Sequence, residues 1–203
     1  MKIICIGRNY VDHIEELGNE KPQDPVVFLK PDTAILPKKM PFFIPEYSDN
    51  LQYEVELVVR INRVGKYIDE KFAHKYYDEI GLGIDFTARD LQQKLKEKGL
   101  PWEKAKAFDG SAVVGNFISK SALSELDNID FSLMKNDEIV QKGNSSLMMY
   151  SIDEIISYVS QFFTLKIGDL IYTGTPAGVG KVKENDTLKG FIGTEEMFKI
   201  KVK

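Results

Sequence analysis

Tyr53-Glu54-Val55-Glu56-Leu57-Val58-Val59-Arg60-Ile61 is the stretch on which the fold class turns. Tyr53, Val55, Leu57, Val59 and Ile61 alternate, the period of a strand that buries one face. Glu54, Glu56, Val58 and Arg60 fall on the other face. Residues 80–86 read as a second strand, closed by Asp85 and Phe86. Working outward, residues 2–6, 26–30, 112–118, 129–135, 138–142, 169–173, 187–192 and 196–202 also read as strands. Asn136-Asp137 supplies a hairpin turn. Helical spacing covers 11–17, partly 69–78, and 87–98, where Thr87 starts the helix, Asp90 stands in a capping-box position and Gly99 ends it. A further helix opens at Ser151, with Glu154 completing a capping box and Ile152, Ile155, Ile156, Val159 and Phe163 on one side. Pro31, Pro37, Pro41 and Pro45 exclude one long regular element over 31–50. Many short strands with a few helices predict a strand-dominated α+β domain spanning 1–203.

The composition narrows the function classes. The chain has 203 residues, with 27 Lys and Arg against 31 Asp and Glu, so no basic excess steers it to nucleic acid or to an anionic membrane surface. No apolar run reaches the roughly 18 residues of a membrane span. The segment 3–6 is too short for a signal-peptide core and reads as a strand. The single cysteine, Cys5, excludes an intrachain disulfide, suits a reducing compartment and reads as a small buried residue. A cytoplasmic protein is expected.

Glu54 and Glu56, two apart on a strand, send their carboxylates to the same side from Cα atoms about 6.6 Å apart. They form either a solvated strand face or two ligands of one ion. Asp85 ends a strand and precedes a helix, so it either caps that helix or points into a cleft. Three converging carboxylates repel, each pair by about 4 kcal/mol at 4 Å and an effective dielectric of 20, and a dication relieves this. All-oxygen ligands favour Mg²⁺, Mn²⁺ or Ca²⁺ over zinc.

His13 and Glu16 share a helix face at i,i+3, which is either a surface ion pair or a carboxylate-oriented general base. His74, among lysines and tyrosines, reads as a surface residue. Lys106, beside Ala105, Ala107 and Phe108, either snorkels or faces an anionic substrate. Arg8 and Tyr10 are candidates to bind a carboxylate, and Gln92, one turn into its helix, is a candidate to face the same cleft. The glycine-rich segment 173–180 lacks the Gly-Lys-Ser/Thr of a phosphate-binding P-loop. It is either a tight turn or a presenter of backbone amides to an anion.

Several pieces in order resemble the fumarylacetoacetate hydrolase family, in particular its short acylpyruvase-like members. They are Gly7-Arg8-Asn9-Tyr10-Val11-Asp12-His13, Phe28-Leu29-Lys30-Pro31, Tyr53-Glu54-Val55-Glu56-Leu57 and Gly83-Ile84-Asp85-Phe86-Thr87-Ala88-Arg89-Asp90. Gly99-Leu100-Pro101-Trp102, Lys106-Ala107-Phe108-Asp109 and Thr173-Gly174-Thr175-Pro176-Ala177-Gly178-Val179-Gly180 complete the set. The resemblance implies a mixed β-sandwich roll, usually a homodimer. It implies Mg²⁺ or Mn²⁺ on Glu54, Glu56 and Asp85, and a mobile lid over about 8–25 that carries His13 and Glu16. It also implies substrate roles for Lys106, Gln92 and Thr175. In place of a proline-containing step common in similar proteins, this chain has Ser111-Ala112-Val113-Val114.

The expected activity is hydrolytic C–C cleavage of a 3-acylpyruvate such as acetylpyruvate or fumarylpyruvate, a small 2-oxo acid. His13, oriented by Glu16, would activate water, and Lys106 would add positive charge where the enolate forms. The same platform serves oxaloacetate decarboxylation, or isomerisation or decarboxylation of 2-hydroxydienoates. A non-catalytic metal-dependent binding protein is the remote alternative.

Overall fold

The computed structural model describes residues 1–16, 18, 20–123 and 125–203. In chain order its elements begin with β1 (Lys2–Ile6), α1 (Val11–Glu16), β2 (Val27–Pro31), β3 (Leu51–Tyr53), β4 (Val55–Ile61) and α2 (Glu70–Ala73). Next come β5 (Tyr77–Asp85), β6 (Thr87–Ala88), α3 (Arg89–Glu97), α4 (Glu103–Lys106), β7 (Ala112–Ser119), β8 (Asp130–Lys135) and β9 (Glu138–Asn144). The chain finishes with α5 (Ile152–Phe162), β10 (Leu170–Tyr172), β11 (Gly180–Lys181), β12 (Thr187–Ile192) and β13 (Glu195–Lys201). The architecture is a strand-dominated α+β fold. Leu17, expected to end the first helix, lies outside the described residues.

Among the described residues three sheets form it: β2-β1-β10-β4-β5-β7, the small β11-β3-β6, and β13-β12-β8-β9. Only β1 and β10 pair in parallel in the large sheet. One core cluster runs through Val55, Leu57, Val59 and Ile61 to the apolar side of α5 and to Phe131 and Leu188. Val58 lies in a second cluster with Ile3, Cys5 and Tyr172, so β4 is covered on both faces. Burying Val, Leu or Ile contributes about 1.5–3 kcal/mol each, which anchors β4 as a support for a site.

The expected strand over 53–61 is in fact two. It breaks at Glu54, because β3 pairs with β6 and β11 while β4 pairs with β5 and β10. Alternation cannot reveal that switch, since the period continues across it. The helix expected over 69–78 shrinks to α2, and Tyr77 opens β5 instead. Asp69 caps that short turn by accepting from Lys71 N, and Phe72 is exposed, so its helical spacing marks no core face. Thr87 does not cap α3: Thr87 and Ala88 pair with Gln52 and Leu51. Asp90 accepts instead from Ser48 Oγ at 2.7 Å and Asp49 N at 3.0 Å, tying the proline-rich segment to α3. The Ser151–Glu154 capping box and the left-handed Asn136 and Asp137 of the β8–β9 hairpin form as expected. Among the described residues, no helix is long and apolar enough to cross a membrane.

Candidate metal centre and active-site cleft

The sheet switch at Glu54 positions the site. Asp85 N donates to Glu54 O at 2.8 Å, so the end of β5 is clamped beside the start of β4. Glu56 lies opposite Gly83 on the same strand pair. As a result Glu54, Glu56 and Asp85, all buried, each bring a carboxylate oxygen within 4.8 Å of the others. Asp85 caps nothing; its side chain points into this cluster.

Cations surround two of the three acids. Lys106 Nζ lies 2.7 Å from Glu54 Oε2 and 2.6 Å from Asp85 Oδ2, and it is buried rather than snorkelling. Lys30 Nζ lies 2.7 Å from Asp85 Oδ1 and donates to Ser111 Oγ at 2.9 Å. That ion pair lies outside hydrogen-bond geometry, so Asp85 Oδ1 is buried without a hydrogen bond. Arg89 pairs with Glu54 Oε1 and donates to Gln52 and Gln92. Glu56 differs from its neighbours. Its Oε2 accepts from Gly174 N at 2.7 Å, and no ion pair to it is found among the described residues.

Burial, then Asp85 and Glu54, push the Glu56 carboxyl well above the usual carboxylate range. Burial also pushes Glu54 up, but Lys106 and Arg89 outweigh it and hold Glu54 well below that range. Burial lowers Lys106, yet Asp85 and Glu54 prevail and keep its ammonium protonated above its ordinary range. Three hard carboxylates, one of them without a cation of its own, fit a Mg²⁺- or Mn²⁺-class ion. Such an ion requires Glu56 ionised, so binding should release its proton. Mn²⁺ affinity is therefore expected to rise by about tenfold per pH unit below the raised Glu56 pKa and to level off above it. Calorimetric titrations in buffers of different ionisation enthalpy check the proton count, and a pH-independent affinity would contradict it.

The histidine–glutamate pair is built from α1. His13 Nδ1 lies 3.1 Å from Glu16 Oε2, with the ring nearly fully buried. Glu16 Oε1 accepts in turn from Gly178 N at 3.0 Å. Gly178 has φ +97°, and a Cβ there would meet Val140 O at 2.4 Å, so only glycine brings this amide so close to β9. Gly174, with φ +101°, places its amide on Glu56 in the same way. The glycine-rich segment thus presents amides, but to two of the protein's own carboxylates. It touches Glu56 at one end and Glu16, the partner of the histidine, at the other.

A cleft of about 30 Å³ is lined by His13, Glu54, Arg89, Gln92 and Lys106, by Arg8 and Lys96, and by the rings of Phe28 and Trp102. Arg8 and Gln92 line this cleft. Tyr10 does not: it is buried edge-on against Phe131, outside the cleft lining, with its hydroxyl unpartnered. Thr175 is buried too, and its Oγ1 accepts from Gln141 Nε2 at 2.9 Å instead of lining the cleft. His74 is on the surface and Cys5 is buried, as expected.

Four residues escaped the sequence reading as site members: Lys30, Arg89, Asn9 and Gln141. Lys30 and Arg89 sit inside quoted motifs, and Arg89 follows Asp85 by four residues, so a signal existed. Asn9 ties the start of α1 to Tyr150 and to Thr173 O at 2.8 Å. Gln141 accepts from Val55 N at 2.9 Å, between the two glutamates, and donates to Thr175 and Pro176. Nothing local in the sequence announces that contact.

The family profile described as fumarylacetoacetate (FAA) hydrolase C-terminal matches residues 2–199. The chain belongs to the fumarylacetoacetate hydrolase family. It is 44% identical over 200 residues to bovine "Oxaloacetate tautomerase FAHD1, mitochondrial", covering 98% of this chain and 90% of that protein. It is 41% identical to "Oxaloacetate decarboxylase, mitochondrial" of Dictyostelium discoideum, covering 93% and 87%. The structure of fumarylpyruvate hydrolase from Pseudomonas aeruginosa, in complex with Mn²⁺ and pyruvate, superposes with a TM-score of 0.92 at 35% identity, covering 100% and 89%. The roll expected from the resemblance is therefore the fold observed, and members of the family that this chain resembles are enzymes of small 2-oxo acids.

Proposed function

We propose that this chain is a divalent-metal enzyme of oxaloacetate whose main reaction is keto–enol tautomerisation, with decarboxylation as the second. The observation that carries this reading is a buried Glu54–Glu56–Asp85 centre facing a His13–Glu16 pair across a cation-lined cleft. The names of the relatives just described favour oxaloacetate over the acylpyruvates expected from the sequence. Mg²⁺ or Mn²⁺ held by Glu54, Glu56 and Asp85 would supply Lewis acidity to the 2-oxo group.

The chain's own residues do the rest. Glu16 occupies Nδ1 of His13, so Nε2 is the nitrogen left for the substrate. In the keto-to-enol direction Nε2 takes a proton from C3 and returns it at the 2-oxo oxygen; the reverse reaction moves it back. Lys106 Nζ supplies positive charge beside the oxygen where negative charge develops. Gln92 Oε1 accepts from Arg89 Nη1 at 2.6 Å, which leaves its N–H groups to orient substrate. A cleft of about 30 Å³ has room for little more than a water. Substrate entry therefore needs α1 to move aside and break the Glu16–Gly178 bond. Closure restores the base and excludes water.

Decarboxylation breaks C3–C4 and needs no base to start, which suits the same charge-stabilising groups. Acylpyruvate hydrolysis uses Nε2 to take a proton from water, and the fumarylpyruvate hydrolase neighbour favours keeping it as a third activity to test. The catalytic unit is taken as 1–203 and the assembly as a homodimer. The single buried Cys5 suits a cytoplasmic setting, although the bovine and Dictyostelium relatives are named mitochondrial.

The test presents enol-oxaloacetate, acetylpyruvate and fumarylpyruvate to the chain with Mg²⁺ and with Mn²⁺. Enol absorbance and pyruvate release are followed together. Loss of enol signal well ahead of pyruvate is expected. Matched pyruvate release makes decarboxylation the main reaction, and cleavage of the acylpyruvates alone restores the hydrolase reading.

A further inference from the structure

Gln141 belongs to β9, in the sheet that carries none of the three clustered acids, and its side chain is buried. The amide reaches across to β4. Its Oε1 accepts from Val55 N at 2.9 Å, and its Nε2 donates to Thr175 Oγ1 and to Pro176 O, each at 2.9 Å. The carbonyl and both N–H groups are therefore engaged. A donor at Val55 and an acceptor at Pro176 permit one orientation of the amide. β10 pairs with Arg60, Val59 and Val58 and stops short of Val55, so this side chain supplies the acceptor that a neighbouring strand would otherwise give.

The glycine-rich segment after β10 is held at three places. Thr173 N and Oγ1 both donate to Leu57 O at 3.1 Å, and Asn9 Nδ2 donates to Thr173 O at 2.8 Å. Gly180 pairs with Tyr53 at the far end. Between these anchors Gln141 holds Thr175 and Pro176, and a Cβ on Gly178 would meet Gln141 Cγ at 3.3 Å. Gly178 N, two residues beyond Pro176, is the amide that donates to Glu16. Val55, which anchors Gln141, stands between Glu54 and Glu56. One buried side chain thus refers the seat of Glu16 to the backbone between those two glutamates. A hydrogen bond to a charged acceptor depends steeply on where its donor points. We infer that Gln141 is a positioning residue: it holds Gly178 N where Glu16 docks, and through Glu16 it orients the His13 ring. Its effect on turnover rests on the proposed acid–base role of His13 and Glu16, while the clamp itself is read without turnover.

Gln141→Met keeps the length of the side chain and removes all three bonds. Gln141→Asn keeps the amide on a stem one methylene shorter, which cannot span Val55 and the segment together, and it serves if the Met variant does not fold. NMR of the Mg²⁺-loaded chain reads the amide protons of Gly174 and Gly178, both of which donate to carboxylates. In either variant the Gly178 proton is expected to move upfield and to exchange roughly tenfold faster. Gly174, fixed through Thr173, should keep its shift and its protection. Tautomerisation of oxaloacetate should fall by roughly tenfold in kcat, the low end for a hydrogen bond to a charged group. KM should be nearly unchanged, since Gln141 does not line the cleft. Glu16→Ala should be slower still, and Glu16→Ala/Gln141→Met should match Glu16→Ala within about twofold, because Gln141 acts through Glu16. An unmoved Gly178 resonance, equal losses at Gly174 and Gly178, or costs that multiply in the double variant overturn the positioning role. A displaced Gly178 with tautomerisation unchanged supports the clamp and refutes the acid–base reading of His13 and Glu16. A displaced Gly178 in a chain whose wild type does not tautomerise oxaloacetate supports the clamp and refutes the oxaloacetate reading.

Discussion

Asp85→Asn should lose nearly all oxaloacetate turnover at saturating Mn²⁺ and should unfold more readily as well. The substitution keeps the shape of the side chain and removes only its charge. Lys30 and Lys106 both contact Asp85 at the centre of the protein, at 2.7 Å and 2.6 Å, and the carboxylate is fully buried. Removing one partner from a buried ion cluster costs about 3–5 kcal/mol, because the remaining charges keep their desolvation penalty. For a chain of this size each kcal/mol is worth roughly 2–4 °C of Tm. The double variant Lys30→Met/Asp85→Asn should regain much of that stability, since it removes an orphaned cation together with its acid. It should regain none of the activity. Thermal melts and turnover on the same samples separate the two effects. A single variant as stable as wild type would mean that Lys30 and Lys106 are not held by Asp85.

His13→Ala should slow tautomerisation by about 10²–10⁴, the range typical of losing a positioned acid–base group. Glu16→Gln should resemble a milder form of it, because it weakens the hold on Nδ1 and the bond to Gly178 N without deleting the ring. Acylpyruvate cleavage, where present, should fall with His13, since it needs activated water. Oxaloacetate decarboxylation should survive far better. Measuring kcat/KM for all three reactions in one variant therefore assigns the proton transfers. Full tautomerase activity in His13→Ala places the proton-transferring group elsewhere.

The three clustered acids were legible because their signal is local. Two acids at strand spacing and a third at a strand end are visible in the letters, and His13 and Glu16 stand one helical turn apart. The sheet switch at Glu54 was not legible, since the apolar alternation of Tyr53, Val55 and Leu57 runs through the break. The expected helix over 69–78 failed because Phe72 and Tyr76 mimic a helical period in a segment where β5 takes up Tyr77. Tyr10 read as a polar ligand, but its ring is what the core uses, against Phe131. Gln141 and Lys30 were hidden for a different reason. Their partners are 86 and 55 positions away in the chain, at Val55 N and Asp85, and only the folded topology brings them together. Ser111, at the point where the chain departs from the common pattern of similar proteins, proves to hold Lys30 Nζ at 2.9 Å.

In the proposed reading Glu54, Glu56 and Asp85 hold one divalent ion on which the chemistry depends. Titration of Mn²⁺ into chelator-stripped wild type and Asp85→Asn tests it most directly, with free Mn²⁺ read by its electron paramagnetic resonance signal. One tight site per wild-type chain is expected, with at least roughly a hundredfold weaker binding in Asp85→Asn samples that the melts show to be folded. Equal Mn²⁺ binding by the two proteins, or no binding by wild type, would contradict it.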